Sequence, residues 1–357
     1  MTVAYLNKIA TEVPLNDVHS TFLAFAKSQL AGDPRKARLF DRMAERGAID
    51  HRYSCLIPGL QPATGSVDID DVYRRGHFPG TADRMRLFEA HAPVLAAKAV
   101  EKLHLGMDRS KISHLVISCC TGFSAPGLDL EIVARCGLDP SVERTMIGFM
   151  GCYAAMNALK AARHIVRSEP HAQVLVVNIE LCTLHLKETT DLEQVLSFMV
   201  FADGCAASIV SAKPEGIALD SFHAVFAPGT GKLITWHIGD SGFNMVLSGE
   251  VPGAIHDALS HQKADVLAGA DSSTIDMWAV HPGGRSVLDA VEKSLGLAQE
   301  KLAASRDILR RFGNMSSATV MFVLQSFLAG GAKQKTGCGM AFGPGLVAET
   351  MLFHTGR

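Results

Sequence analysis

Gly148-Phe-Met-Gly-Cys-Tyr-Ala-Ala155 sets one cysteine between a glycine-rich approach and an apolar, alanine-rich run. From Tyr153 to about Val166 good helix formers recur on a helical period. Cys152 is therefore expected at a helix N-terminus, where the dipole and the unpaired N–H groups favour a thiolate. Gly148 and Gly151 let the backbone turn sharply there. Taken alone, the stretch reads more readily as a buried structural cysteine among small residues. Cys152 is one of eight cysteines, and it becomes a candidate nucleophile only if the chain supplies partners.

Two later segments do so. Asp276-Met-Trp-Ala-Val-His-Pro-Gly-Gly284 reads as a short buried strand ending in His281, with Pro and Gly opening a turn before a helix from Ser286 to Leu295. Arg311-Phe-Gly-Asn-Met-Ser-Ser317 puts Asn314 on a loop ahead of an apolar helix from Met315 to Leu328. Singly, His281 reads as well as a structural histidine, and Asn314 as a helix cap. Both stand at element ends, where open α/β sheets expose site residues, so Cys152, His281 and Asn314 form a set.

In content and order, Cys152 in GFMGCYAA, His281 in WAVHPGG, Asn314 in FGNMSS and the C-terminal Gly339-Met-Ala-Phe-Gly-Pro-Gly345 resemble the type III polyketide synthases, the chalcone-synthase-like branch of the thiolase superfamily. The resemblance runs from about Asp33 to Phe353 and takes in Phe201-Ala-Asp-Gly204. It implies an α/β, thiolase-like fold of two related βαβ-type halves in α-β-α-β-α layers. Residues 1–215 would carry the cysteine and residues 216–357 the histidine and asparagine. It further implies a homodimer, with Ala125 where members often place a methionine that reaches the partner's cavity.

The chemistry implied is decarboxylative condensation. Cys152 would take an acyl starter from acyl-CoA as a thioester. His281 would lower the thiol's pKa, and with Asn314 would hold the enolate left when malonyl-CoA loses CO₂. Coenzyme A thioesters enter as substrates, with no permanently bound cofactor and no metal. Arg38, Arg42 and Arg46, four apart, share one face of a helix, which on spacing alone is a solvated face. In the family, basic residues here bind coenzyme A phosphates. Arg42 and Arg46 match, while a third position holds Leu39, with Arg38 beside it as a substitute.

The family's cavity positions are here Cys120, Thr121, Cys182, His185, Ser197, Phe201, Trp236, Met245 and Ser316. Phe201 matches a gatekeeper phenylalanine, and the second gatekeeper is Met245. Trp236, where chalcone synthases have glycine, narrows one branch; the small residues at 120, 182 and 197 open another. Medium- to long-chain fatty acyl-CoA starters and alkylpyrone or alkylresorcinol products follow as expectations. The alternatives are a malonyl-primed tetrahydroxynaphthalene-type synthase and a single-condensation, ketoacyl synthase III-like enzyme. A papain-like hydrolase lacks its CGSCW context, and a non-catalytic binding protein has no use for the full triad.

Composition agrees with a cytoplasmic enzyme. Of 357 residues, 48% are hydrophobic and 20% charged, enough for a large core. A net charge of -2 argues against a general nucleic-acid or membrane surface. The cysteines show no CxxC pair, as suits reduced thiols, and MTVAYLNKIA lacks a basic region followed by a long apolar core. No apolar run reaches membrane-span length. Strands are expected at Val3–Ile9, His114–Ser118, Gln173–Ile179, Ala206–Val210, Thr336–Phe342 and Leu346–His354. Helices are expected from near Asn16, at Leu87–Leu103 and at Leu128–Cys136, and the alternation predicts a largely parallel sheet.

Overall fold

In the computed structural model, which describes residues 2–356, strands and helices alternate along the chain. The strands are β1 (Tyr5–Glu12), β2 (Asn16–Asp17), β3 (Tyr53–Ser54), β4 (His114–Cys119), β5 (Glu143–Gly148), β6 (Val174–Leu181), β7 (Asp203–Ser211), β8 (Ile217–Phe226), β9 (Ile234–Gly239), β10 (Gly242–Leu247), β11 (Met277–Val280), β12 (Thr336–Gly343) and β13 (Val347–Thr355). The α-helices are α1 (His19–Gln29), α2 (Pro34–Gly47), α3 (Thr81–Glu101), α4 (Leu128–Cys136), α5 (Ala154–Ser168), α6 (Leu192–Phe198), α7 (Val251–His261), α8 (Lys263–Val266), α9 (Arg285–Leu295), α10 (Ala303–Phe312) and α11 (Thr319–Ala329).

Nine strands form one sheet in the order β11-β12-β13-β8-β1-β7-β6-β4-β5. Its two arms repeat one pairing pattern. In the first, β4 and β6 are parallel, while β6–β7 and β7–β1 are antiparallel. In the second, β11 and β12 are parallel, while β12–β13 and β13–β8 are antiparallel. The sheet is thus mixed rather than largely parallel, because β6 to β7 and β12 to β13 return without crossing over.

Alternation along the strands builds the layers, since successive side chains point to opposite faces. Leu115 and Ile117 of β4, with Leu175 and Val177 of β6, pack outward against α3 and α4. Val116, Val174 and Val176 point inward, to α5 and α11. In the other arm Ala279, Ala341 and Met351 face the same two helices, while Trp278, Val280 and Met340 face α7 and α9. The result is helix, strand, helix, strand, helix. In the middle layer α11 is buried along Val320–Leu324, each large side chain contributing about 1.5–3 kcal/mol relative to exposure.

Several elements differ from expectation. The chain near Asn16 is extended, because Asn16 and Asp17 pair with Ser54 and Tyr53. Helix α1 starts only at His19, whose N–H donates to Asp17 Oδ1 (3.0 Å). Helix α3 begins at Thr81, ahead of its apolar stripe, and the strand β5, directly before the Cys152 turn, is almost wholly solvent-facing.

Candidate active site

Cys152 lies in a 3₁₀ turn, Gly151–Tyr153, that runs straight into α5. Gly151 has φ +67° and a Cβ there would stand 2.2 Å from Pro344 Cδ; one on Gly343 would stand 2.6 Å from Tyr153 Cδ1. The glycines of the C-terminal motif and of the nucleophile turn are therefore the condition for the two backbones to touch. His281 follows β11, its N–H donating to Met340 O at 2.7 Å. Asn314 follows α10; its Nδ2 donates to Gly283 O (3.1 Å) and its Oδ1 accepts from Ser316 N–H (2.9 Å). One amide side chain thus ties the histidine's turn to the start of the buried helix α11.

The electrostatics depart from expectation. Burial pushes the Cys152 thiol up to about 12, the nearby Glu180 carboxylate adds to the rise, and the hydrogen-bonding side chains of Ser316 and Asn314 draw it down by less. His281 is buried, and that burial lowers its pKa to about 3. Neither of its ring nitrogens has a hydrogen-bond partner among the described residues. Both shifts favour the uncharged forms, a thiol at Cys152 and a neutral imidazole at His281. Desolvation outweighs the helix dipole here.

Cys152 opens onto a pocket of about 30 Å³, lined by Cys120, Thr121, Gly151, Cys182, Phe198, Phe201, Ile234, Trp236, Met245, Ser316 and Pro344. His281 and Asn314 are not among the lining residues. Nor are two residues expected there. His185 is held by Thr121 O (2.7 Å from Nε2) and by the Phe243 N–H donated to Nδ1 (3.0 Å), and stacks on Phe243. Ser197 donates to Glu193 O within its own helix at 2.8 Å. Trp236 and Met245 are cross-strand partners in the β9–β10 hairpin. Trp236 Nε1 donates to Cys120 O at 2.8 Å, with its ring edge-on to His185 and Phe243. Ile234 and Phe198 are lining residues that no motif in the sequence marks, although alternation in ITWHIG puts 234 and 236 on one face.

A second, wider cleft of about 780 Å³ lies between α2, the end of α6 and the start of α9. Leu39, Met43 and Arg46 line it from α2, Met199 and Val200 from the segment that precedes Phe201, Gly284 and Arg285 from the segment that follows His281. Arg38 and Arg42 are exposed on α2 outside this lining. Arg285, which the sequence pattern did not single out, donates from Nη1 to Arg46 O at 3.3 Å. Its only sequence signal is a cation placed directly after His-Pro-Gly-Gly.

Buried behind the pocket, Glu180 accepts from Cys120 N–H (2.9 Å), Thr121 Oγ1 (2.9 Å) and Ser317 Oγ (2.7 Å), and burial raises its pKa to about 7. No group of ligands able to hold a metal ion, and no helix long and apolar enough to cross a membrane, occurs among the described residues.

The chain matches the N-terminal domain of chalcone and stilbene synthases over residues 7–214 and their C-terminal domain over residues 218–356. An alpha-pyrone synthesis polyketide synthase-like protein, Pks18, from Mycobacterium tuberculosis is 35% identical over 368 residues, covering 99% of this chain and 91% of that protein. Among solved structures, the C-terminal type III polyketide synthase domain of Steely1, a type I/III hybrid from Dictyostelium, superposes with a TM-score of 0.87 at 25% identity, covering 99% of each chain. PKS-I from the brown alga Ectocarpus siliculosus gives a TM-score of 0.85 at 29% identity, again over 99% of each chain. With both domains matched in order around Cys152, the chain belongs to the chalcone and stilbene synthases and is a type III polyketide synthase, a condensing acyltransferase.

Proposed function

We propose that the enzyme loads a medium- to long-chain fatty acyl group from acyl-CoA onto Cys152, extends it two or three times with malonyl-CoA, and releases an alkylpyrone or alkylresorcinol. The observation that carries this reading is the pocket on Cys152, walled by apolar or small side chains with Trp236 across one side. Similarity to an enzyme named for alpha-pyrone synthesis supports it. The pocket now has room for about two water molecules, so an acyl tail enters by displacing side chains. Met245, unbranched and adaptable, is the wall that yields. Each CH₂ buried there contributes about 0.8 kcal/mol.

In this mechanism His281, uncharged and with free ring nitrogens, takes the Cys152 proton as the thiol attacks the starter thioester. Loss of CO₂ from malonyl-CoA then leaves an enolate. The second Nδ2 hydrogen of Asn314, the first being spent on Gly283 O, and the now protonated His281 hold that charge, each donor worth roughly 3 kcal/mol. Coenzyme A lies in the wide cleft, its phosphates toward Arg46 and the α2 arginines. The chain divides at residues 215 and 216 into two halves that meet at the site. The enzyme works in the cytoplasm as a two-fold homodimer built on the open edge of β5, where Met146 and the neighbouring Phe123 are exposed.

The test is to offer purified enzyme a starter series from malonyl- to stearoyl-CoA with labelled malonyl-CoA and to identify products by mass. Turnover should rise with starter length into the medium-chain range. Turnover that is flat or falls with length removes the acyl passage, and naphthalene-type products from malonyl-CoA alone would establish the malonyl-primed alternative.

A further inference from the structure

Three cysteines on three separate segments open onto the one pocket: Cys120, Cys152 and Cys182. Cys119, beside Cys120 in sequence, does not join them. Its side chain belongs to the outer-layer core, with Sγ 3.7 Å from both Thr121 Oγ1 and Gly122 O. Cys120 is drawn toward the nucleophile instead. Its Sγ accepts the Gly151 N–H at 3.1 Å, and Gly151 is the residue immediately before Cys152. Cys182 leads a separate turn, Cys182–His185, after β6 and has no hydrogen bond to the nucleophile turn among the described residues.

The pocket's size selects what reaches these thiols. About 30 Å³ is space for roughly two waters, which admits hydrogen peroxide without moving any side chain. A sulfenic acid formed here has other protein thiols lining the same pocket.

We propose that Cys152 and Cys120 form an intramolecular disulfide when the enzyme meets hydrogen peroxide, a reversible modification that masks the catalytic thiol. In the first step the Cys152 sulfur, after losing its proton, attacks one peroxide oxygen. The O–O bond breaks, hydroxide leaves and is protonated to water, and Cys152 becomes a sulfenic acid, oxidised by two electrons while the peroxide is reduced. In the second step the Cys120 sulfur attacks the Cys152 sulfur, the S–O bond breaks, and hydroxide leaves with the Cys120 proton as water. The bond needs the two sulfurs at about 2.05 Å, and the two side chains line one pocket, with Cys120 Sγ already on the N–H of the residue before Cys152. Without Cys120, further peroxide carries the sulfenic acid on to sulfinic and sulfonic acids, which thiols do not reverse. The step requires only that Cys152 ionise, so it holds whatever starter the enzyme takes.

The test uses the full chain without substrate, treated with excess hydrogen peroxide, denatured in iodoacetamide and mapped as peptides without reduction. Wild type, Cys120→Ser and Cys182→Ser are compared, with circular dichroism confirming each fold. Wild type and Cys182→Ser should lose the mass of two hydrogen atoms per chain and yield the Cys120 and Cys152 peptides linked. Their acyl loading should vanish and return with dithiothreitol. In Cys120→Ser, Cys152 should appear as sulfinic or sulfonic acid, with loading not regained. A link from Cys152 to Cys182, or a wild-type Cys152 that is over-oxidised or untouched while Cys120 alkylates as a free thiol, overturns the proposal. If Cys120→Ser does not fold, the wild-type peptide map alone decides.

Discussion

Phe201 and Asn314 face one another in an isolated parallel bridge, with Asn314 N–H donating to Val200 O (2.7 Å) and Ala202 N–H to Asn314 O (2.9 Å). The Phe201 ring and the Asn314 amide are thus carried on two hydrogen-bonded backbones, and a shift in one moves the other. Arg52 clamps that pair from behind. Wholly buried, it donates from Nη1 to Phe198 O (3.0 Å) and Phe201 O (3.3 Å) and from Nε to His19 Nδ1 (3.0 Å). Burial lowers its pKa to about 9, so it is still charged at neutral pH.

Arg52→Met should lower stability by about 2–3 kcal/mol, since it strands two buried carbonyls, and should reduce malonyl-CoA decarboxylation by loosening Asn314. Arg52→Lys should recover part of both. A lowered melting temperature with decarboxylation unchanged would show that Arg52 holds the fold but does not position the site.

Asn314→Ala should impair decarboxylation far more than starter loading, because in the proposed mechanism the proton leaves Cys152 through His281. His281→Ala should harm both steps. Removing the Asn314 side chain also frees Gly283 O and Ser316 N–H, so a stability loss of about 1 kcal/mol per lost hydrogen bond should accompany it. Intact-mass measurement of acyl adducts, run beside labelled CO₂ release, separates the steps. If loading falls equally in the two variants, Asn314 acts only as the local cap.

The placing of Cys152, His281 and Asn314 at element ends is legible in the sequence because each sits beside glycine, proline or a capping amide, features that short motifs record. Strand β5 is not legible. Its side chains, Glu143-Arg-Thr-Met-Ile-Gly148, are exposed nearly throughout, so no buried face imprints a period on it. The absence of His185 and Ser197 from the pocket lining depends on how the chain turns after β6 and along α6, which composition does not record. The thiol shows a different limit. A helix-start position argues for a depressed pKa, but the depth of burial that reverses it belongs to the assembled layers and to Glu180, on a different strand.

Glu180 sets a pH dependence of stability whose sign follows from its raised pKa. Its carboxyl titrates near 4.5 when unfolded and about 7 when folded, so the folded state holds the proton more tightly. The stability linked to that proton is fully present below pH 4.5 and is lost as pH rises through 7, a change of about 3 kcal/mol. Buried His281, lowered from 6.5 to about 3, acts in the opposite sense, its contribution present above pH 6.5 and lost as pH falls toward 3. Comparing wild type with Glu180→Gln isolates the carboxyl. The glutamine oxygen can take the Cys120 and Thr121 bonds while its amide nitrogen donates to Ser317. The variant should gain on wild type as pH rises from 5 to 8 in denaturant titrations. A constant difference across that range would mean that Glu180 titrates normally.

Trp236 is the residue through which the pocket's shape can be tested. Its indole is held on two sides, by the Nε1 donation to Cys120 O and by edge contacts with His185 and Phe243, while Met245 stands across the strand from it. It is a fixed wall, and Met245 is the adaptable one. Trp236→Phe should keep most of the width, cost about 1 kcal/mol for the lost hydrogen bond and leave the product distribution nearly unchanged. Trp236→Gly removes the wall and the ring contacts together. It should destabilise the hairpin further and shift products toward bulkier or more extended polyketides, while Met245→Phe, which stiffens the yielding wall, should shorten the preferred starter. Product profiles from all three variants against one starter series give the readout. If Trp236→Gly makes the wild-type products in wild-type proportions, Trp236 does not shape the growing chain, and its place beside Cys120 serves only to anchor the hairpin.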